Sequence, residues 1–432
     1  MEYATDMSFR HVCSIFVEYW LLSTSGKLFT RQQGFLPKER NVILKTHPGL
    51  EQGPIYLDYN ATTPVDPVVV EAMSPFISVH FGNPSSSHSF GYKAHQAVES
   101  AREQVAQLLG CSAKEITFTG GGTESDNLAI RGIALANRNK GNHIITQATE
   151  HPAVLKTCLA LERLHGFRVT YLPVDRSGRV STADVEAAID KKTVLITIMH
   201  ANNETGTLQP IAEIAKIARK YGVLVHTDAA QSAGKIPLLV KELDVDLLTI
   251  AGHKLYAPKG IGVLYSRHEM NLEPGIYGGG QEAGRRAGTE SVANIVALGT
   301  ACFLAQEQLS DSQIRLRSMR DKLQRLIEEL THDDIHLNGH DTDRLPNTLN
   351  FSVDGVVGEE VLAVTPEIAS STGSACHEGS TDPSPVLMAM GLSRDRALGA
   401  MRLTLGRWST DGEIERAARL LAKSIDSLRR KL

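Results

Sequence analysis

From about residue 115 the chain alternates short β-rich runs with helical patterns. "EITFT" (115–119), "HIIT" (143–146), "RVTYLPV" (168–174), "TVLITIM" (193–199), "VLVHTD" (223–228), "DLLTI" (246–250) and "GIGVLYS" (260–266) are strand-like. Between them, "ESDNLAIRGIALANR", "PAVLKTCLALERLHG", "STADVEAAI" and "PIAEIAKIARKYG" carry helical spacing. Near-continuous apolar strands alternating with helices predict an α/β fold, with a mostly parallel sheet covered on both faces. In such sheets ligands gather at the carboxyl ends of the strands, so the polar residues just after each strand are the candidates for chemistry.

A second region begins near residue 305. "QIRLRSMRDKLQRLIEEL" predicts a long amphipathic helix, "RLPNTLNFSV" a strand, "DRALGAMRLTLGR" a helix followed by a strand, and "DGEIERAARLLAKSIDSLRRKL" a terminal helix with a basic last turn. The expected organisation is a large domain over 66–304 and a smaller α+β domain from 54–65 and 305–432. Residues 1–53 are expected to form a poorly ordered extension. Its apolar stretch "CSIFVEYWLL" is too short to span a bilayer and is broken by Glu18.

Composition narrows the function classes. The 432 residues are 42% hydrophobic and 22% charged, which suits an ordinary soluble protein of more than one domain. Lys and Arg total 45 against 49 Asp and Glu, a net charge of −4, so no electrostatic footprint for nucleic acid or an anionic membrane is present. A small substrate or a protein partner is expected. Cys13, Cys111, Cys158, Cys302 and Cys376 are odd in number and widely spaced, which suggests neither a disulfide framework nor a cysteine-based zinc site. That usage fits a reducing compartment, the cytoplasm, and no metal is expected. Cys111, Cys158 and Cys302 follow or lie in apolar helical patterns and read as core thiols. Cys376 differs, because it sits in "SSTGSACHEGSTDPSPVL", which has few large apolar side chains to bury it.

Five strand ends carry polar groups. "GGGTES" (120–125) opens a helix, and its free N–H groups, with the Thr123 and Ser125 hydroxyls, predict an anion cup suited to phosphate. It is neither a Walker loop nor a GxGxxG fingerprint. "TEHPAV" supplies His151, and "HANNETG" supplies Asn202 and Asn203. "HTDAAQ" supplies Asp228 and Gln231, and "GHKLYAPKG" supplies His253 and Lys254. A carboxylate and a lysine at the mouth of a parallel sheet suit pyridoxal phosphate chemistry. The amine condenses with the aldehyde, and the carboxylate keeps the pyridine nitrogen protonated. Each residue alone also has an ordinary reading: Lys254 as a surface lysine, Asp228 as a helix cap, and His151 as a structural ring.

The ordered series "YLDYNATTP", "FGNPSSSHSFG", "FTGGGTESDNLAI", "TEHPAV", "HANNETG", "HTDAAQSAGK", "GHKLYAPKG", "GGGQEAGRRAGTES", "RLPNTLNFS", "GSACHEG" and "MRLTLGR" resembles the cysteine desulfurase family. These are class V, fold-type I pyridoxal-phosphate enzymes, with selenocysteine lyases as close relatives. The likeness covers nearly everything beyond about residue 54. It implies Lys254 as the Schiff-base lysine, Asp228 as partner of the pyridine nitrogen, Gln231 as ligand of the phenolic oxygen and His151 as the ring stacked on the cofactor. It also implies that the Gly122 backbone, Thr123 and His253 hold the phosphate, and that Thr289 reaches the phosphate of a neighbouring subunit in a homodimer. Asn203 and Arg402 would hold the substrate carboxylate, for which a guanidinium fork is well shaped.

The implied reaction converts L-cysteine to L-alanine. Sulfur passes to Cys376 as a persulfide and then to an acceptor such as an iron–sulfur scaffold protein. The alternatives are a selenocysteine lyase, a sulfur-relay scaffold with little activity, and a related class V aminotransferase or decarboxylase in which Cys376 is dispensable. Two departures from the family pattern bear on cofactor affinity. Ala251 stands where a phosphate-binding serine is often found, and Ala283 stands where an arginine is frequent.

Overall fold

The computed structural model describes residues 46–268, 270–332, 335–373 and 382–430. Cys13, most of the expected extension and the Cys376 segment lie outside the described residues. Residues 46–53, assigned to that extension, do contain structure: a 3-10 turn at Pro48–Leu50, and a His47 ring bonded to the Val65 carbonyl and tilted against Trp408.

In chain order, β1 (Ile55–Tyr56) leads to helix α1 (Ser89–Leu109), β2 (Ile116–Thr119), α2 (Gly122–Ala136), β3 (His143–Gln147), α3 (Pro152–His165), β4 (Arg168–Leu172) and β5 (Thr193–Thr197). There follow α4 (Ile211–Tyr221), β6 (Leu224–Asp228), β7 (Leu247–Ala251), β8 (Gly262–Ser266) and α5 (Val292–Leu330). The chain continues through β9 (Ile335–Leu337), β10 (Thr348–Val353), β11 (Ile368–Ala369), β12 (Ala400–Thr404) and α6 (Asp411–Arg429). Helix ends follow local chemistry. Pro152 opens α3, where its missing N–H is not needed, and Gly110, Gly166 and Gly222 close α1, α3 and α4 in the left-handed conformation.

Seven strands form one sheet in the order β2-β8-β7-β6-β5-β3-β4. All run the same way except β8, which is antiparallel to both neighbours. The β7–β8 connection contains only a 3-10 turn, and a parallel return would need a full crossover. The sheet is therefore mostly parallel, as expected from its apolar strands. It packs on one face against a core that includes Val105, Leu248 and Val263, and on the other against a core that includes Ile130, Ile144 and Leu161. A three-stranded antiparallel sheet, β12-β10-β9, has its own core with α5 and α6, built on Leu323, Phe351, Leu403 and Leu421. A short parallel pair, Ile55 with Ile368, brings the start of the described chain beside this smaller core.

Helix α5 runs unbroken through residue 305, so the two cores share one rod of 39 residues. By length and composition it could cross a membrane. Instead, Ile295, Leu298 and Cys302 are buried in the first core, and Leu316, Leu323 and Ile327 in the second. Cys158 is also fully buried, while Cys111 is only partly so. Burial pushes the Cys111 thiol up to about 12, leaving it a neutral packing group.

Leu323 has no exposed surface. Replacing it with Ala should cost about 2–5 kcal/mol through lost contacts and a residual cavity. Denaturant unfolding would measure this, and a loss below about 1 kcal/mol would contradict the packing described.

Candidate active site

The carboxyl ends of β2, β3, β5, β6 and β7 open onto a cavity of about 900 Å³ whose lining includes Gly122, His151, Asn203, Asp228, Lys254 and Arg402. Thr123, Gln231, His253 and Ala251 line it as well. The topology brings most of the predicted site residues of the described chain to this one place, but not Ser125 or Asn202. Thr289 also lies outside this lining and is exposed.

The glycine turn after β2 makes the base of the cup. Gly121 has φ 145°, a conformation that side chains rarely adopt, and no side chain caps the start of α2. Its first N–H groups are thus available to an anion. The turn is tight: a Cβ on Gly122 would stand 3.0 Å from the Ala251 methyl, and one on Gly262 would stand 2.6 Å from the Gly121 carbonyl carbon. Ser125 departs from expectation. It is fully buried, and its hydroxyl meets Thr119 Oγ1 at 2.7 Å and donates to the Gly121 carbonyl, so it braces the turn from behind. Glu124 Oε2 accepts from Gly120 N at 2.8 Å, and Oε1 accepts from Arg286 Nε at 2.9 Å. Arg285 and Arg286 line the cavity, whereas Ala283 is exposed with φ 55°.

His253 Nδ1 meets Thr62 Oγ1 at 3.1 Å. Burial, reinforced by the Lys254 charge, pushes its pKa down to about 4, so its ring is neutral near pH 7. His151 caps α3: its Nδ1 accepts from Ala153 N at 3.1 Å, which leaves the proton of a neutral ring on Nε2. Asp228 is buried and accepts from Ala230 N at 2.8 Å. Burial raises its pKa, while its His151, Ala230 and Lys254 neighbours pull it back. Lys254 donates to the Ala61 carbonyl at 2.8 Å and also to the Asn60 carbonyl.

Arg402, on β12, is 1% exposed. Its Nη2 donates to Asp58 Oδ1 and Ser371 Oγ, both at 2.8 Å, and its Nη1 donates to the Asn203 carbonyl at 3.0 Å. Its buried Nε has no protein partner. Asn203 thus contributes its backbone to Arg402, and the guanidinium, its Nε buried, lines a cavity of a size to admit a carboxylate.

Five further residues were not legible as site residues. Asp58 fixes Arg402, Asn60 contacts Gln231 and Lys254, and Lys235 contacts Asn60 and Gln231. Asp126 and Glu150 are buried behind Asp228, with carboxyl pKa values held well above the usual range, chiefly by burial. Their signals were present as the acidic positions inside "ESDN" and "TEHP", which carry no pattern that marks them as buried.

Residues 55–417 match the family profile described as Aminotransferase class-V, so the chain belongs to that family. Among curated relatives, the cysteine desulfurase IscS of Dictyoglomus turgidum is 48% identical over 377 residues, covering 87% of this chain and 95% of that protein. Within the class-V aminotransferases, then, this is a member of the cysteine desulfurases. A solved NifS-like protein matches with TM-score 0.81 and 37% identity over 87% of this chain and 100% of that one. A structure described as SspA in complex with cysteine matches with TM-score 0.73 and 41% identity over 82% and 99%.

His226, buried on β6, has its pKa lowered by burial from 6.5 to about 3. As pH falls through that window the unfolded chain takes up a proton before the folded one does. This single ring should therefore withdraw stability at up to about 1.4 kcal/mol per pH unit on acidification. NMR titration of the ring should find His226 neutral at about pH 5, and a midpoint near the ordinary value would contradict its burial.

Proposed function

We propose that this protein is a pyridoxal-phosphate-dependent cysteine desulfurase that converts L-cysteine to L-alanine and loads the sulfur on Cys376. The observation that carries this reading is the convergence of Lys254, Asp228, His151 and Arg402 on one cavity beside an uncapped glycine turn. The glycine turn, Thr123 and His253 suit the phosphate. Asp228 suits the pyridine nitrogen, whose positive charge would offset the burial of the carboxylate, and Gln231 suits the phenolic oxygen. When bound, the cofactor supplies a sink for the electrons left at the substrate α-carbon.

The chain's own residues do the rest. Arg402 binds the substrate carboxylate from the cavity wall, beside Asn203. Lys254 Nζ moves the α-proton, and the His151 ring covers the reacting centre. The Cys376 thiolate attacks the substrate sulfur. The Cβ–S bond breaks with its electron pair going to carbon, a proton completes alanine, and the transferred sulfur stays on Cys376 as a persulfide. From there it passes to a protein acceptor of the iron–sulfur scaffold kind. A homodimer, in which Thr289 serves the neighbouring site, is part of this proposal.

Purified protein should absorb visibly through the cofactor bound at Lys254, and Lys254→Ala should lose that absorbance. Cys376→Ser should lower sulfide release from cysteine by a factor of ~100 or more. Release at the wild-type rate would contradict the persulfide route. Running selenocysteine beside cysteine separates desulfurase from lyase: a lyase would process selenocysteine with Cys376 replaced and leave cysteine almost untouched. Arg402→Lys should raise the cysteine KM at least about tenfold by removing the bidentate fork.

A further inference from the structure

Lys235 is a lysine without an acid. It is not exposed, and among the described residues its ammonium makes no ion pair. It donates instead to two neutral oxygens, Asn60 Oδ1 and Gln231 Oε1, both at 3.0 Å. Burial, together with the nearby charges of Lys254 and Arg402, holds its pKa well below the usual lysine range. Burying an amine in such a place costs stability unless its position does something.

What it does follows from donor chemistry. Both of its contacts are to amide oxygens, which accept and cannot donate, so Nζ is the donor in each. Lys235 thereby fixes which way both amides point. The Gln231 carboxamide must turn its Nε2 away, and it donates to the Asn60 carbonyl at 3.0 Å. Asn60 is 1% exposed and pinned on every side. Its Nδ2 donates to Thr348 Oγ1 at 2.9 Å and the Asn203 carbonyl at 3.3 Å, and its Oδ1 also accepts from Asn347 Nδ2 at 3.1 Å. The same Asn60 carbonyl that takes Gln231 Nε2 also takes Lys254 Nζ. One backbone oxygen thus gathers the reactive lysine and the amide donor beside it.

We propose that Lys235, with Asn60, is a positioning clamp that forces Gln231 to present an N–H donor, rather than its carbonyl, to the cavity beside Lys254. The proposal rests on Gln231 meeting the phenolic oxygen of the bound cofactor. With the clamp intact, that oxygen receives a fixed donor and competes poorly for the proton of the adjacent lysine linkage. That linkage then loses its proton at lower pH. The other charged and titratable groups around it are Asp228 with Asp126 and Glu150 behind it, His151, His253, Lys259, Arg285, Arg286 and Arg402. All of them remain in place when Lys235 is changed.

The test is a pH titration of the visible absorbance of the cofactor-loaded protein. Lys235→Met keeps the stem and removes the donor, and it should raise the midpoint by about one pH unit. In a Gln231→Leu background the same change should move the midpoint by less than half as much, because the clamp has nothing left to orient. An unchanged midpoint, or an equal shift in both backgrounds, overturns the clamp; the equal shift would mean that Lys235 acts as a bare charge. If Lys235→Met does not fold, Lys235→Gln replaces it, with the same directions expected. Wild-type protein with no pH-sensitive visible band would overturn the cofactor reading itself, and the clamp with it.

Discussion

The site depends on keeping one guanidinium, that of Arg402, out of water. It stands on β12 of the smaller sheet, yet its partners come from three other parts of the chain: Asp58 after β1, Asn203 after β5, and Ser371 after β11. A buried charge with one partner removed is strongly destabilising, so these segments are held together by the need to satisfy it. The arrangement joins the smaller sheet to the carboxyl edge of the larger one, and it sets the guanidinium in the wall of the cavity where a substrate carboxylate would go. In the proposed function, architecture and substrate recognition are served by the same side chain.

The larger sheet supplies the other half. Parallel strands end on one edge, so residues 120–123, 151, 203, 228 and 254, far apart in sequence, become neighbours without any long-range design beyond strand order. The direction of β8 matters here. It returns through the sheet between β7 and β2, and its Gly262 lies against Gly121, where a side chain would displace the turn that forms the anion cup. Ser125 and Thr119 then lock that turn from inside. The cup is rigid because its supports are buried.

Much of this was legible in the chain. Strands buried on both faces are continuous apolar runs, and such runs are hard to mistake when glycine or polar clusters bound them. His151, Asp228 and Lys254 were legible because each directly follows such a run. Three things were hidden. Whether β8 runs parallel depends on what the connection contains, not on the strand's own composition. Whether Ser125 faces in or out depends on where the turn of α2 begins, which a one-residue shift reverses. The Lys235 and Asn60 contacts join segments 175 residues apart, and no local pattern encodes such a pairing. In retrospect Lys235 lies four residues after Gln231, a spacing that could have suggested that the two side chains meet.

The account makes the protein a sulfur carrier as well as a catalyst, and intact-mass analysis after brief exposure to L-cysteine tests that most directly. One added sulfur atom, removable by thiol reductant and mapped by peptide sequencing to Cys376, is the predicted result. Alanine formed with no mass gain, or with the sulfur on another cysteine, would contradict it.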